Sequence, residues 1–186
     1  MGTYRTAQVC KNGHVITSNI HNSAHLSNFC PECRAETITS CPNCNTPIRG
    51  EYDVPGVISF STYTPPKYCH HCGYPFPWTE EKINSISKLL DMQDQLTEEE
   101  KKHFMSYLPV IFSETPQSEV SALQLKLLFN KLPSEISSLA KRLISDAISE
   151  GIRNILFPWY IQLTTYNLCI YQNHNYIFSL LPNNHI

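Results

Sequence analysis

Between residues 80 and 157 apolar side chains return every three or four positions, the spacing that gathers them on one face of a helix. Ile83, Ile86, Leu89 and Leu90 mark a first helix over residues 80–95, with Thr79 placed to cap it and Glu80 and Glu81 against its positive end. Thr97-Glu-Glu-Glu100 is a capping-box pattern, and Phe104, Met105 and Leu108 follow as a short second helix that Pro109 is expected to stop. Val120, Leu123, Leu127 and Leu128 mark a third. Ser134-Glu135 opens the longest, one stripe running through Ile136, Leu139, Ala140, Leu143, Ile144, Ala147, Ile148, Ile152 and Ile155. Such a stripe either buries itself in a small bundle or presents a dimer seam or partner-binding face.

Before residue 80 the pattern changes to short apolar or β-branched runs broken by turn residues. Val15-Ile16-Thr17, Glu36-Thr37-Ile38-Thr39 and Gly56-Val57-Ile58-Ser59-Phe60 read as short antiparallel strands. Asn12-Gly13, Pro47, Gly50, Pro55-Gly56 and Pro65-Pro66 reverse the chain between them. After Pro158 the composition becomes aromatic and Asn-rich, with Tyr166–Tyr171 and Tyr176–Leu181 spaced as a hairpin and Cys169 a packed or free thiol. The expectation is an α+β chain of three parts: residues 1–79 with short strands, a helical segment over 80–157, and an atypical tail over 158–186.

Composition narrows the class of function. Residues 1–79 hold five Lys or Arg against four Asp or Glu, and residues 80–150 hold eight against twelve. Phosphate backbones are bound chiefly through clustered cations, so this balance lowers the expectation of a nucleic-acid partner without removing it. The first residues lack the apolar run of a secretory signal, and no stretch reaches the length of a membrane span. A cytoplasmic protein without a membrane role is expected, and in a reducing compartment cysteines at ligand spacing read as metal ligands before disulfides.

Seven of the eight cysteines fall at such spacing: Cys30-Pro-Glu-Cys33, Cys41-Pro-Asn-Cys44, Cys69-His-His-Cys72, and Cys10, which His14 completes as a pair. Two intervening residues let a tight turn aim two sulfurs at one ion, and zinc takes four such donors tetrahedrally. Four pairs imply two structural zinc ions, held by Cys10, His14, Cys30, Cys33, Cys41, Cys44, Cys69 and Cys72. His14 is the least constrained member, since His21 and His25 lie near it. Pairing in sequence order leaves a hairpin-sized loop inside each site and is favoured; a cross-braced and a nested pairing remain open. Gly73 suits the left-handed turn after a knuckle, Asn45 tolerates it, and Arg34 adopts it less readily, which leaves a different turn open there.

Gln8-Val-Cys-x-Asn-Gly-His14, Phe29-Cys-x-x-Cys33, Cys41-Pro-Asn-Cys44, Pro47-Ile-Arg-Gly50, Tyr68-Cys-x-x-Cys-Gly73 and Pro77-Trp78-Thr79 together resemble an uncharacterised bacterial zinc-ribbon family, domain of unknown function 2321. The resemblance covers residues 1 to about 157. It implies a double zinc ribbon and brings no assigned activity, substrate or partner.

No Walker motif, His-Glu-x-x-His or Gly-x-Ser-x-Gly is present, and no small-molecule substrate suggests itself. Catalytic zinc needs an open position, which full sites do not leave. Only loss of His14 from the set would open one, with Glu32 or Glu36 as base. The expected function is therefore a non-catalytic interaction or adaptor module, with a protein partner or self-association through the helical segment. The run Tyr74-Pro-Phe-Pro-Trp78 either seals the ribbon against the first helix, the favoured reading, or presents a stacking platform. The alternative function is a nucleic-acid-binding zinc ribbon, which would use that platform with Lys11, Arg34, Arg49 and Lys67 as phosphate contacts.

Overall fold

The computed structural model describes residues 2–22, 26–57 and 62–158. The chain divides into two compact units, one spanning Met1–Met92 and one from Gln93 on. The first carries β1 (Thr3–Thr6), β2 (Gln8–Cys10), β3 (Val15–Thr17), β4 (Thr37–Ile38), β5 (Arg49–Asp53) and α1 (Pro77–Asp91). The second carries α2 (Glu98–Ser113), α3 (Pro116–Phe129), α4 (Ser134–Ser145) and α5 (Glu150–Leu156). The architecture is α+β, with small antiparallel sheets first and five helices after them among the described residues.

In the first unit, β2 lies between β3 and β4, antiparallel to both. A second sheet pairs β1 with β5, setting Tyr4 opposite Tyr52 and Thr6 opposite Arg49. Neither β1 nor β5 is among the expected strands. Of the expected strand at 56–60, Gly56 and Val57 lie outside any strand, and its remaining residues lie outside the described ones. Ala7, Val9, Ile48, Phe76 and Trp78 form the apolar core together with Cys41 and Cys69. α1 begins earlier than expected, at Pro77, whose fixed φ and missing N–H suit a first helical turn. Thr79 is consequently inside the helix and caps nothing; its hydroxyl, buried, donates to the Lys67 carbonyl at 2.9 Å.

In the second unit the capping box is present as read: the Glu100 amide donates to Thr97 Oγ1 at 3.2 Å and the Thr97 amide to Glu100 Oε2 at 2.9 Å. Pro109 does not stop α2, which runs on to Ser113 and ends at Glu114 in the left-handed region, φ 54°. Burial of Ile111 and Phe112 beyond the proline offsets the roughly 3 kcal/mol that an interior proline costs.

Two further corrections concern faces and breaks. α3 buries Ser118, Ser121, Ala122, Leu125 and Phe129, while Val120, Leu123 and Leu127 of the expected apolar row are 58%, 55% and 66% exposed. Small residues let α3 approach α2 closely, close enough for Ser118 Oγ to donate to the Val110 carbonyl at 2.7 Å. The single long stripe from Ser134 is two helices, because the chain leaves helical geometry at Ser149, φ −66° and ψ 162°. Arg153 of α5 reaches back to donate to the Ser145 carbonyl at 2.8 Å, satisfying the end of α4. Phe104, Phe129 and Phe157 stack edge to face through this core. The expected tail hairpin and Cys169 lie outside the described residues.

Candidate metal centres

Four turns position the ligands. At three of them the same backbone circuit recurs: the first cysteine donates its amide five residues ahead, Cys30 to Ala35, Cys41 to Thr46 and Cys69 to Tyr74, each at 2.8 Å. The residue after the second cysteine returns its amide to the first cysteine's carbonyl at 2.9 Å, from Arg34, Asn45 and Gly73. That closure requires a positive φ, and all three residues have it, 63°, 57° and 70°. Arg34 thus makes the same turn as its counterparts, and the different turn left open for it is not taken. A β-bridge closes each knuckle from outside, Phe29 with Glu36, Ser40 with Pro47 and Tyr68 with Pro75. The turn from Cys10 to His14 is tighter by one residue, with the Cys10 amide on the His14 carbonyl and Gly13 taking the positive φ, 92°.

The structure brings these turns together in sequence order: Cys10, His14, Cys30 and Cys33 in one group, and Cys41, Cys44, Cys69 and Cys72 in the other. Within each group all four ligand atoms lie within 4.8 Å of one another. In the first, His14 presents Nδ1, 3.6 Å from Cys10 Sγ, 3.6 Å from Cys30 Sγ and 3.3 Å from Cys33 Sγ, and the Cys10 and Cys33 sulfurs are 3.7 Å apart. In the second, Cys41 and Cys72 are 3.8 Å apart and Cys44 and Cys69 3.6 Å. Tetrahedral zinc with ordinary bond lengths would set sulfurs about 3.8 Å apart and sulfur and nitrogen about 3.5 Å apart. These edges fit that figure, and they are far longer than the roughly 2.05 Å of a disulfide. Both groups could hold a metal ion.

Electrostatics repeats from one site to the other. Hydrogen bonding from the backbone of Ala35 pulls the Cys33 thiol down to about 6, and Tyr74 does the same for Cys72, also to about 6. Burial pushes Cys41 up to about 11, and pushes Cys10 upward. A metal ligand is a thiolate, so in each site an ion would meet one cysteine poised to ionise and one from which it must displace the proton. An asparagine side chain supports the poised sulfur each time: Asn12 Nδ2 donates to Cys33 Sγ at 3.4 Å, and Asn43 Nδ2 reaches Cys72 Sγ at 3.6 Å. The outer nitrogen of His14, Nε2, lies 3.6 Å from Glu32 Oε2, and a carboxylate so placed orients the ring of a metal-bound imidazole. Glu36, the other residue considered as a base, is engaged by Lys11 at 2.5 Å.

His70 and His71 are exposed on the last knuckle and belong to neither group. Phe76 and Trp78 are buried and stacked, centroids 4.7 Å apart and planes 9° apart, with Trp78 Nε1 donating to the Pro66 carbonyl at 3.0 Å. The run therefore seals the apolar core, as the first of its two readings has it, and does not form a stacking platform; only Tyr74 of it is exposed. The exposed aromatic residues of the sheet, Tyr4 and Tyr52, were not singled out from sequence, since neither Thr3–Thr6 nor Arg49–Asp53 carries an apolar alternation that marks a strand.

The chain belongs to the family described as uncharacterized proteins conserved in bacteria, domain of unknown function 2321, whose pattern matches residues 3–156. No curated protein and no solved structure matches it.

Proposed function

We propose that this member of the family is a cytoplasmic, non-catalytic module that binds two structural zinc ions and works as an interaction or adaptor protein through its helical segment. The observation that carries this reading is the completeness of both ligand sets. Each offers four sulfur or nitrogen donors at tetrahedral spacing, the set zinc prefers, and four protein donors leave no position for a reacting water. Free thiols at seven cysteines support a reducing compartment. No helix among the described residues is long and apolar enough to cross a membrane. Val120, Leu123 and Leu127, one exposed apolar row on α3, are the surface that supports a protein partner or a second copy.

Elemental analysis of purified protein, with native mass measured on the same sample, tests this. Two zinc ions per chain are expected, together with one or more losses on His14→Ala. A single ion, or a different metal, would remove the ground for a purely structural double site. A Leu123→Gln variant is expected to retain both ions and to lose whatever association the parent shows.

A further inference from the structure

The sheet formed by β1 and β5 carries a cluster that neither the metal sites nor the helical surface uses. Tyr4 and Tyr52, directly opposite in register, have ring centroids 4.9 Å apart and are 56% and 51% exposed. The Arg49 guanidinium lies over the Tyr4 ring, 4.9 Å from its centroid. Gly2 lies close to Tyr52, where an added Cβ would come within 2.7 Å of the ring. Beside the cluster is a shallow cavity of about 250 Å³ whose lining includes Tyr4, Arg49 and His70.

Charge distinguishes Arg49 from its neighbours. Arg5 is ion-paired with Asp53, and Lys11 with Glu36. No carboxylate of the described residues lies within ion-pair distance of Arg49, whose positive charge is spent on a ring face. Flat rings, an exposed guanidinium and an adjacent imidazole are complementary to a base followed by a phosphate. An acidic peptide would engage the guanidinium and leave the rings idle.

We propose that the Tyr4–Tyr52–Arg49 face, with His70 at its edge, binds single-stranded nucleic acid, stacking a base on the layer made by Tyr4 and the guanidinium over it, beside the Tyr52 ring tilted 55° to Tyr4, and placing the following phosphate against Arg49 and His70. Bases in a duplex are already stacked and do not present their faces, so the face selects single strands. With one unpaired guanidinium as its cation, the site neutralises about one phosphate, and the salt dependence is shallow, a log–log slope of about −0.7.

Fluorescence anisotropy with zinc-loaded, full-length protein and a labelled single-stranded DNA of about 12 nucleotides tests this, against the duplex of the same sequence. The parent is expected to bind the single strand at low salt and the duplex at least about tenfold more weakly. Tyr4→Ala should weaken single-strand binding about tenfold, whereas Tyr4→Phe, which keeps the ring, should leave it within about twofold. Arg49→Gln should flatten the salt slope by about 0.7, and Lys102→Gln, a charge loss elsewhere, should not. Zinc content measured on every variant identifies any that fails to fold. No binding at low salt, equal binding of the duplex, or an Arg49→Gln slope equal to that of the parent would overturn the assignment.

Discussion

The two metal sites are built by one plan and set in different surroundings. Each joins two turns, each has an asparagine reaching the last sulfur, and each pairs a burial-raised first cysteine with a last cysteine drawn down to about 6. The second site is continuous with the apolar core: Cys41 and Cys69 sit in the cluster with Val9, Ile48, Phe76 and Trp78, and Cys44 packs against it. Cys10 and Cys30 of the first site are buried outside that cluster, with His14 at a half-exposed rim and the Lys11–Glu36 pair nearby. A metal at the second site would be one cooperative unit with the core. At the first it would substitute for a core.

That difference should appear most strongly when a ligand is removed. Structural zinc contributes on the order of 10 kcal/mol or more to the folding of small domains, more than a unit of this size holds in reserve. Cys41→Ser is expected to unfold the first unit and release both ions, while Cys30→Ser should release one and unfold only the first site. Trp78 fluorescence in a Trp159→Phe background, read with zinc content, separates these outcomes. Equal loss of the Trp78 signal in both variants would mean that the two sites fold as one.

Next in size is the core itself. Trp78 stacks on Phe76 within the cluster that includes Cys41 and Cys69 of the second site. Trp78→Ala should cost about 3–5 kcal/mol, read as a fall in the thermal midpoint of the zinc-loaded protein. If the second site is the one tied to the core, zinc competition by a chelator should show that site weakened more than the first. Smaller still is the support to the sulfurs. Asn43→Ala and Asn12→Ala should each lower affinity at their own site by about tenfold, with the midpoint nearly unchanged, as expected for side chains that hydrogen-bond a metal ligand. A global loss of stability from either would give the asparagine a structural role instead.

Sequence made the ligands readable because their spacing is local: two residues between cysteines already fix a turn, whatever the rest of the chain does. Pairing order was a matter of loop length, and the structure has the order that short loops favour. What escaped was set by contacts distant in the chain. β1 and β5 join residues 3–6 to 49–53, and neither run carries an apolar alternation. The buried face of α3 is its small-residue face, because close approach to α2 rewards serine and alanine over the valine and leucines that periodicity selects. At Ser149-Glu150 a start signal was present in the sequence, and an uninterrupted apolar stripe masked it. The aromatic run at Tyr74–Trp78 was legible as a seal after the last knuckle, while its partners Ala7, Val9 and Ile48, far away in the chain, were not.

The smallest effect bears on how alike the sites are. Three knuckles need the same left-handed residue, and it is Arg34 in the first site but Asn45 and Gly73 in the second. A side chain with a Cβ costs about 1–2 kcal/mol there, less for asparagine, and replacing it with glycine also loosens the unfolded chain. Arg34→Gly should therefore stabilise the zinc-loaded protein by up to about 1 kcal/mol, and Asn45→Gly should change it by only a few tenths. Chemical denaturation of both variants in the presence of zinc measures this. A destabilised Arg34→Gly would mean that the arginine side chain makes a contribution exceeding its backbone strain, and the plan shared by the two sites would then stop at the ligands.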